Sequence, residues 1–183
     1  MTAVVGLMHD GHVYIGADSA ATELSGYNSR PTVIPKVFSR DNYVVGFSGS
    51  FRAGQILRHH LDLPPIPEKL QKHAFQPKIA EEFFVKFFIE SVKHAFSVYG
   101  FENTDDDACF FLVGVGGTLV TIESDFQVGI YDDYASVGTG SAYALGSLYS
   151  TPGREPEQRI NLALEAASMY NATVAPPFHI ERT

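Results

Sequence analysis

Apolar and polar positions come in short paired blocks at the start of this chain. Residues 3–8 and 12–17 are two apolar runs split by HDGH, and Asp10-Gly11 between them is a strong hairpin signal. A polar stretch with Ser, Gly, Asn and Pro follows, from about Ser19 to Pro35. Two more short runs, KVFS and YVVGFSG, flank the turn RDN, which makes two hairpins in the first fifty residues. After Gly49 the spacing changes: Phe51, Ile56, Leu57 and Leu61 fit a helix starting near Ser50. A proline-interrupted connection then leads to KIAEEFFVKFFIESVKHAFSVYG, the clearest helix of the chain. Its Ile79, Phe83, Phe84, Phe87, Phe88, Val92 and Phe96 fall on one broad face, read as core packing, and Gly100 is placed as the C-cap.

Strand patterns return in ACFFLVGVG, TLVTIE and QVGIYD, with Gly116-Gly117 as a turn. YASVGTGSAYALGSLYS reads as a short strand, a glycine turn and a helix, and EPEQRINLALEAASMY as a second helix. TVAPPFHI closes the chain as an edge strand, because proline cannot donate to a ladder. The three aspartates of ENTDDD lack the spacing and glycine of a calcium loop and read as a solvated turn. Strands and helices therefore come in blocks, without the strict alternation of a parallel sheet. That order predicts an α+β chain built as a four-layer αββα sandwich with two antiparallel sheets.

Composition narrows the function. The 183 residues fit one domain, residues 1–183, and a content of 45% hydrophobic against 19% charged residues supports a sizeable core. A net charge of −8 argues against a nucleic-acid partner. No run reaches the roughly 18 apolar residues of a membrane span, and no signal peptide is expected before Thr2. The lone Cys109, inside an apolar run, reads as a core residue and fits a reducing compartment, so a cytoplasmic location is expected. The seven histidines show no zinc spacing, so neither metal nor cofactor is expected.

The second residue carries the candidate chemistry. Methionine aminopeptidases remove Met1 when a small residue follows, leaving Thr2 with a hydroxyl and a free α-amine. Such an amine has an unperturbed pKa of about 8 and can serve as the base for its own hydroxyl. Asp18 ends an apolar strand, where a carboxylate is costly unless paired, and the hairpin returns it alongside Thr2. Lys36 opens the next strand; beside a threonine hydroxyl it would favour the deprotonated form. Gly49, between a strand and a helix start, offers an N–H to developing negative charge. Each charge taken singly is also compatible with an ordinary strand end, and Gly49 with a plain tight turn.

In this pattern the sequence resembles the proteasome β-subunits and their bacterial relative, the HslV-type protease. Both are threonine members of the N-terminal nucleophile hydrolases. The resemblance covers most of the chain and is strongest in the first 57 residues. It rests on TAVVGL…DGHVYIGADSAAT, with Thr2, Asp18 and Thr22 at the family's separations, on Lys36-Val37, on VVGFSGS and on SVGTGSAYALG. It implies the four-layer fold and Thr2 as nucleophile, with its amine as base. Lys36 would tune the hydroxyl, Asp18 orient Lys36, and the Gly49 amide form the oxyanion hole. Thr139 stands where the family has serine and would contact the Thr2 amine. Backbone near Thr22 and Gly49 would align an extended peptide, and Ala21, Ile34, Phe38, Phe47 and Phe51 match specificity-pocket positions. A homo-oligomeric ring, unfolded protein or peptide substrates and an ATP-dependent unfoldase partner are implied in the same way.

The sequence also departs from that pattern. The Asp18–Lys36 separation is longer than usual, with an insertion near ELSGYNS. No acidic residue stands in SMYNATVAPP, where proteasome subunits carry an aspartate; Asn171 is the nearest substitute. Two alternatives share the fold: a catalytically silent structural subunit, which retains Met1 or fails to react with a Thr-directed covalent inhibitor, and an amidase acting on small amides. A phosphate-binding reading of GTGSAYALG lacks the downstream acidic partner of a dinucleotide site.

Overall fold

The structure is a computed structural model and describes residues 2–23, 29–71, 75–102 and 108–183. The turn expected at ENTDDD falls mostly outside them, at residues 103–107, as does Met1. Two antiparallel sheets lie face to face. The first has the order β10-β1-β2-β11, from β1 (Val4–His9), β2 (His12–Ala17), β10 (Tyr134–Val137) and β11 (His179–Arg182). The second has the order β5-β6-β7-β8-β9, from β5 (Val37–Arg40), β6 (Tyr43–Gly49), β7 (Cys109–Val115), β8 (Thr118–Ile122) and β9 (Val128–Tyr131). A small pair, β3 (Ala20–Thr22) and β4 (Ser29–Pro31), forms within the stretch expected only to be polar.

Three apolar clusters account for the layering. Val4, Val13, Ile15, Val44, Leu112 and Leu119 meet between the sheets. On the outer face of the second sheet, Phe47, Phe111 and Val113 pack under α1 (Phe51–His60) and the helical run α2 (Pro77–Phe83), a π turn at Phe84–Phe88 and α3 (Ile89–Val98). On the outer face of the first sheet, Val5, Leu7 and Tyr14 pack under α4 (Ser141–Ser150) and α5 (Pro156–Tyr170). The chain is thus the αββα sandwich that its order of elements predicts. Cys109 is fully buried in the second sheet's outer cluster. No helix among the described residues is long and apolar enough to cross a membrane.

The long helix ends as its pattern requires. Gly100 has φ +64°, the Phe101 N–H donates to the Phe96 carbonyl at 2.9 Å, and the two phenyl rings meet edge to face at 4.7 Å. That is a Schellman C-cap with its hydrophobic contact. One expectation is corrected: Phe87, counted on the core face, is 55% exposed. The π turn contributes, because its wider i→i+5 closure changes the rotation per residue and alters the register of the phenylalanine stripe. The closing strand is also shifted. It begins at His179, beyond the prolines, and pairs with β2 at the sheet edge.

Candidate active site

The β1–β2 hairpin sets one half of the site. Val4 opposes Ala17, so the residues just outside the register, Ala3 and Asp18, also meet. The Asp18 N–H donates to the Ala3 carbonyl at 3.2 Å, and the Ala3 N–H donates back to Asp18 Oδ1 at 3.1 Å. On the other side β1 pairs with β10, Val4 opposite Val137. The chain then turns at Gly138 (φ +98°), and the Gly140 N–H donates to the Thr2 carbonyl at 3.1 Å. A Cβ on Gly138 would lie 2.3 Å from that carbonyl oxygen and 2.8 Å from Ser48 Oγ. Only glycine fits this turn, which brings Thr139 beside Thr2.

The second sheet supplies the cation. Lys36 immediately precedes β5, and its side chain crosses between the sheets. Lys36 Nζ donates to Thr2 Oγ1 at 2.7 Å and to Asp18 Oδ1 at 2.9 Å. Thr2 is 2% exposed, Asp18 0% and Lys36 1%. Asp18 is held from four sides: Ala3 N–H and Lys36 Nζ reach Oδ1, while Ala20 N–H at 2.8 Å and Ala175 N–H at 3.3 Å reach Oδ2. A buried carboxylate with this many donors is well satisfied. Burial pushes the Lys36 ammonium below the usual lysine range, and the charge and hydrogen bond of Asp18 oppose that shift. The ammonium also lies 5.9 Å from the centre of the Phe51 ring.

A chain of hydroxyls leads away from the Thr2 nitrogen, which donates to Thr139 Oγ1 at 3.4 Å. Thr139 Oγ1 is 3.1 Å from Thr173 Oγ1, and the Thr173 hydroxyl donates to Asn171 Oδ1 at 2.7 Å. The carbonyl end of Asn171 fixes the direction of this chain. Thr173 spends its proton on the amide oxygen, so Thr139 donates to Thr173, and Thr139 accepts from the Thr2 nitrogen. Asn171 therefore occupies the end of a neutral relay. Thr173, beside Thr139, and Ser48, beside Gly138, are the members of this site that sequence reasoning missed. Short polar side chains at a strand end and after a helix leave no periodic signal. The Asn-x-Thr spacing, an Asx turn with the Thr173 N–H on Asn171 Oδ1 at 3.0 Å, is the one available hint.

Thr2, Asp18, Lys36 and Thr139 are thus joined by direct contacts. Gly49 ends β6 one residue after Ser48, with φ +93°, and the Ser50 side chain caps α1 by accepting from the Ala53 N–H at 3.4 Å. A Cβ at Gly49 would lie 2.0 Å from the Ala108 carbonyl oxygen. Gly49→Ala therefore combines a left-handed backbone with a backbone clash. Strained conformations of this kind cost roughly 1–3 kcal/mol, so we expect Tm to fall by several degrees, at about 2–4 °C per kcal/mol for a chain of this size. Thermal denaturation checks this; a Tm within about 1 °C of the parent would contradict it.

The remaining positions separate into two environments. Ala21 and Thr22 lie half-buried on β3, and Ile34 is exposed in the loop before Lys36. Phe38, Phe47 and Phe51 belong to the cluster beneath α1. Phe47 is only 4% exposed, and its ring meets Gly54, where a Cβ would lie 2.5 Å from ring carbons.

No protein family model matches the chain, and no curated protein matches it. Solved structures do. BPH from Thiobacillus denitrificans, solved in complex with epoxomicin, superposes with a TM-score of 0.78 at 19% identity, over 99% of this chain and 97% of that one. The eukaryotic HslV from Trypanosoma brucei gives 0.68 at 17% identity, over 98% of each chain. Anbu from Pseudomonas aeruginosa, solved as a helical assembly, gives 0.67 at 15% identity, over 99% of this chain and 80% of that one. These likenesses establish the architecture: the chain has the fold of the proteasome-like N-terminal nucleophile hydrolases.

Proposed function

We propose that the protein is a threonine-type endopeptidase whose nucleophile is Thr2 after removal of Met1. The observation that carries this reading is the buried contact of Lys36 Nζ with both Thr2 Oγ1 and Asp18 Oδ1. An ammonium held 2.7 Å from a hydroxyl lowers the energy of the alkoxide that forms when the hydroxyl attacks. Once the amine is free, it takes the hydroxyl proton, directly or through one water, while the Thr2 oxygen bonds to the scissile carbonyl carbon. The Gly49 N–H receives the developing oxyanion. Collapse of the tetrahedral intermediate breaks the C–N bond, the protonated amine gives its proton to the leaving amine, and water then hydrolyses the ester. The hydroxyl relay accepts an N–H from the Thr2 amine, which leaves the nitrogen lone pair available for the proton. An extended peptide would lie beside Thr22 and Gly49, with its side chain toward Ala21, Ile34 and Phe51.

Anbu from Pseudomonas aeruginosa forms a helical assembly, and the proposal includes a homo-oligomer that encloses the site and takes unfolded chains from an ATP-dependent unfoldase. Intact-mass measurement with epoxomicin, the ligand of the Thiobacillus protein, tests the reading. The expected species lacks methionine and gains one inhibitor. A chain that retains Met1 and gains nothing would instead be a silent subunit of the same fold.

A further inference from the structure

Lys36 sits one residue before β5, where the ladder holds little of it: its carbonyl accepts from the Phe47 N–H at 3.0 Å. A second device grips the same segment from the far end of α1. The Arg58 guanidinium Nη2 donates to the Pro35 carbonyl and, at 3.3 Å, to the Val37 carbonyl, the two carbonyls that flank Lys36. Its Cζ lies 4.8 Å from the centre of the Phe38 ring, which bounds the guanidinium on one face. Arg40, at the end of β5, returns the grip. Its Nη1 donates to the Arg58 carbonyl at 2.8 Å, and its Nη2 donates to the Leu61 carbonyl. Glu181 on β11 bears on the guanidinium electrostatically and accepts from Ser39 Oγ at 2.7 Å. Asp41 Oδ2 lies 3.6 Å from Arg40 Nε. Among the described residues, Arg58, Arg40, Asp41 and Glu181 are thus the charged groups around this joint, and Asp18 is the one that faces Lys36 itself.

The cross-bracing joins the two ends of one helix to two parts of the site. The N-terminus of α1 follows Gly49 directly, and its last turn holds the backbone of Lys36. We propose that Arg58 is a positioning residue: by bonding the carbonyls on both sides of Lys36, it keeps the lysine ammonium on the Thr2 hydroxyl. The inference rests on the role of Thr2 proposed above. The Lys36 side chain is buried and its ammonium is held by Thr2 and Asp18, so where that ammonium sits depends on where the backbone starts the side chain. Bonds to the carbonyls on both sides of the residue fix that starting point. Lysine at position 58 would keep the charge toward Glu181 but ends one bond short of the carbonyls.

The test uses the full-length protein with Arg58→Gln and Arg58→Lys, and two readouts. The first is the rate of Thr2 labelling by epoxomicin as a function of pH. In Arg58→Gln the rate is expected to fall at least tenfold. Its pH midpoint is expected to rise, because an ammonium that leaves the Thr2 amine no longer disfavours that amine's protonated form. Arg58→Lys is expected between the two. A residue that only stabilised the fold would lower Tm and leave the midpoint in place. The second readout is hydrogen exchange of a peptide covering residues 34–38, expected to speed up at least tenfold in Arg58→Gln with β6 and β7 unchanged. An unaltered midpoint overturns the proposal, as does unaltered exchange at residues 34–38. If the parent protein is not labelled at all, the Thr2 reading fails by itself. The exchange data then decide Arg58 alone: a tenfold rise upholds the clamp and no change removes it.

Discussion

Thr2→Ala is expected to abolish peptide hydrolysis, lowering kcat/KM by on the order of 10⁴-fold or more, and to eliminate the epoxomicin adduct. The size follows from one residue supplying both halves of the chemistry. When nucleophile and base are separate residues, deleting either stops the reaction, and their effects do not add. Alanine at position 2 keeps the amine after methionine removal but has no oxygen for it to deprotonate. Stability should change far less. Lys36 Nζ keeps its bond to Asp18 Oδ1 at 2.9 Å, and the Thr2 backbone keeps its carbonyl bond from Gly140. The loss is therefore chemical, with a Tm near the parent value. Thr2→Ser is the control: it retains hydroxyl and amine, loses the methyl group that fixes the rotamer, and should keep measurable activity. Hydrolysis by a correctly processed Thr2→Ala protein at the parent rate would remove Thr2 from the mechanism.

The meeting of Asp18 with the start of β1 in the candidate site was legible in the sequence because hairpins convert spacing into proximity. Once residues 3–8 and 12–17 pair through Asp10-Gly11, residue 18 must lie beside residue 3, and the observed register has Val4 opposite Ala17. The layers were legible for a similar reason, since strands in blocks separated by helical patterns leave few packings. What escaped notice depends on contacts with no period. Thr173 reaches Thr139 across 34 residues of sequence through a loop. Arg58 presents as an ordinary basic residue in the last turn of a helix, and only the fold shows which carbonyls it meets. The pair β3–β4 was hidden because its residues, Ala20–Thr22 and Ser29–Pro31, are too few and too polar to alternate visibly. The π turn was invisible in a stripe of phenylalanines that suits an uninterrupted helix equally well.

Asp18→Asn is expected to be the most destabilising of the conservative changes in the site, and its effect should depend on pH in a defined direction. A carboxylate accepts at both oxygens, and here donors surround both: Ala3 N–H and Lys36 Nζ at Oδ1, Ala20 N–H and Ala175 N–H at Oδ2. An asparagine amide offers one acceptor and one NH₂ group, so either flip places N–H against N–H. Removing the charge also leaves the Lys36 ammonium buried without its counter-ion. Breaking a buried ion pair from one side costs roughly 3–5 kcal/mol, which is a Tm loss on the order of 10 °C at about 2–4 °C per kcal/mol. The pH dependence follows from the lysine. Burial lowers the Lys36 pKa, and Asp18 is what opposes the shift; without Asp18 the shift is larger. Between that lowered value and the unfolded value of about 10.4, the unfolded chain binds more protons than the folded one. Stability then rises with pH across that window. The Tm gap between parent and Asp18→Asn should therefore be widest at low pH and narrow as pH climbs toward 10. Thr2 labelling should fall by at least about a hundredfold, because a neutral or displaced lysine no longer stabilises the alkoxide. Melting curves from pH 6 to 10 decide the matter: a gap below about 2 °C, or one that widens with pH, would mean that the buried lysine does not depend on this carboxylate.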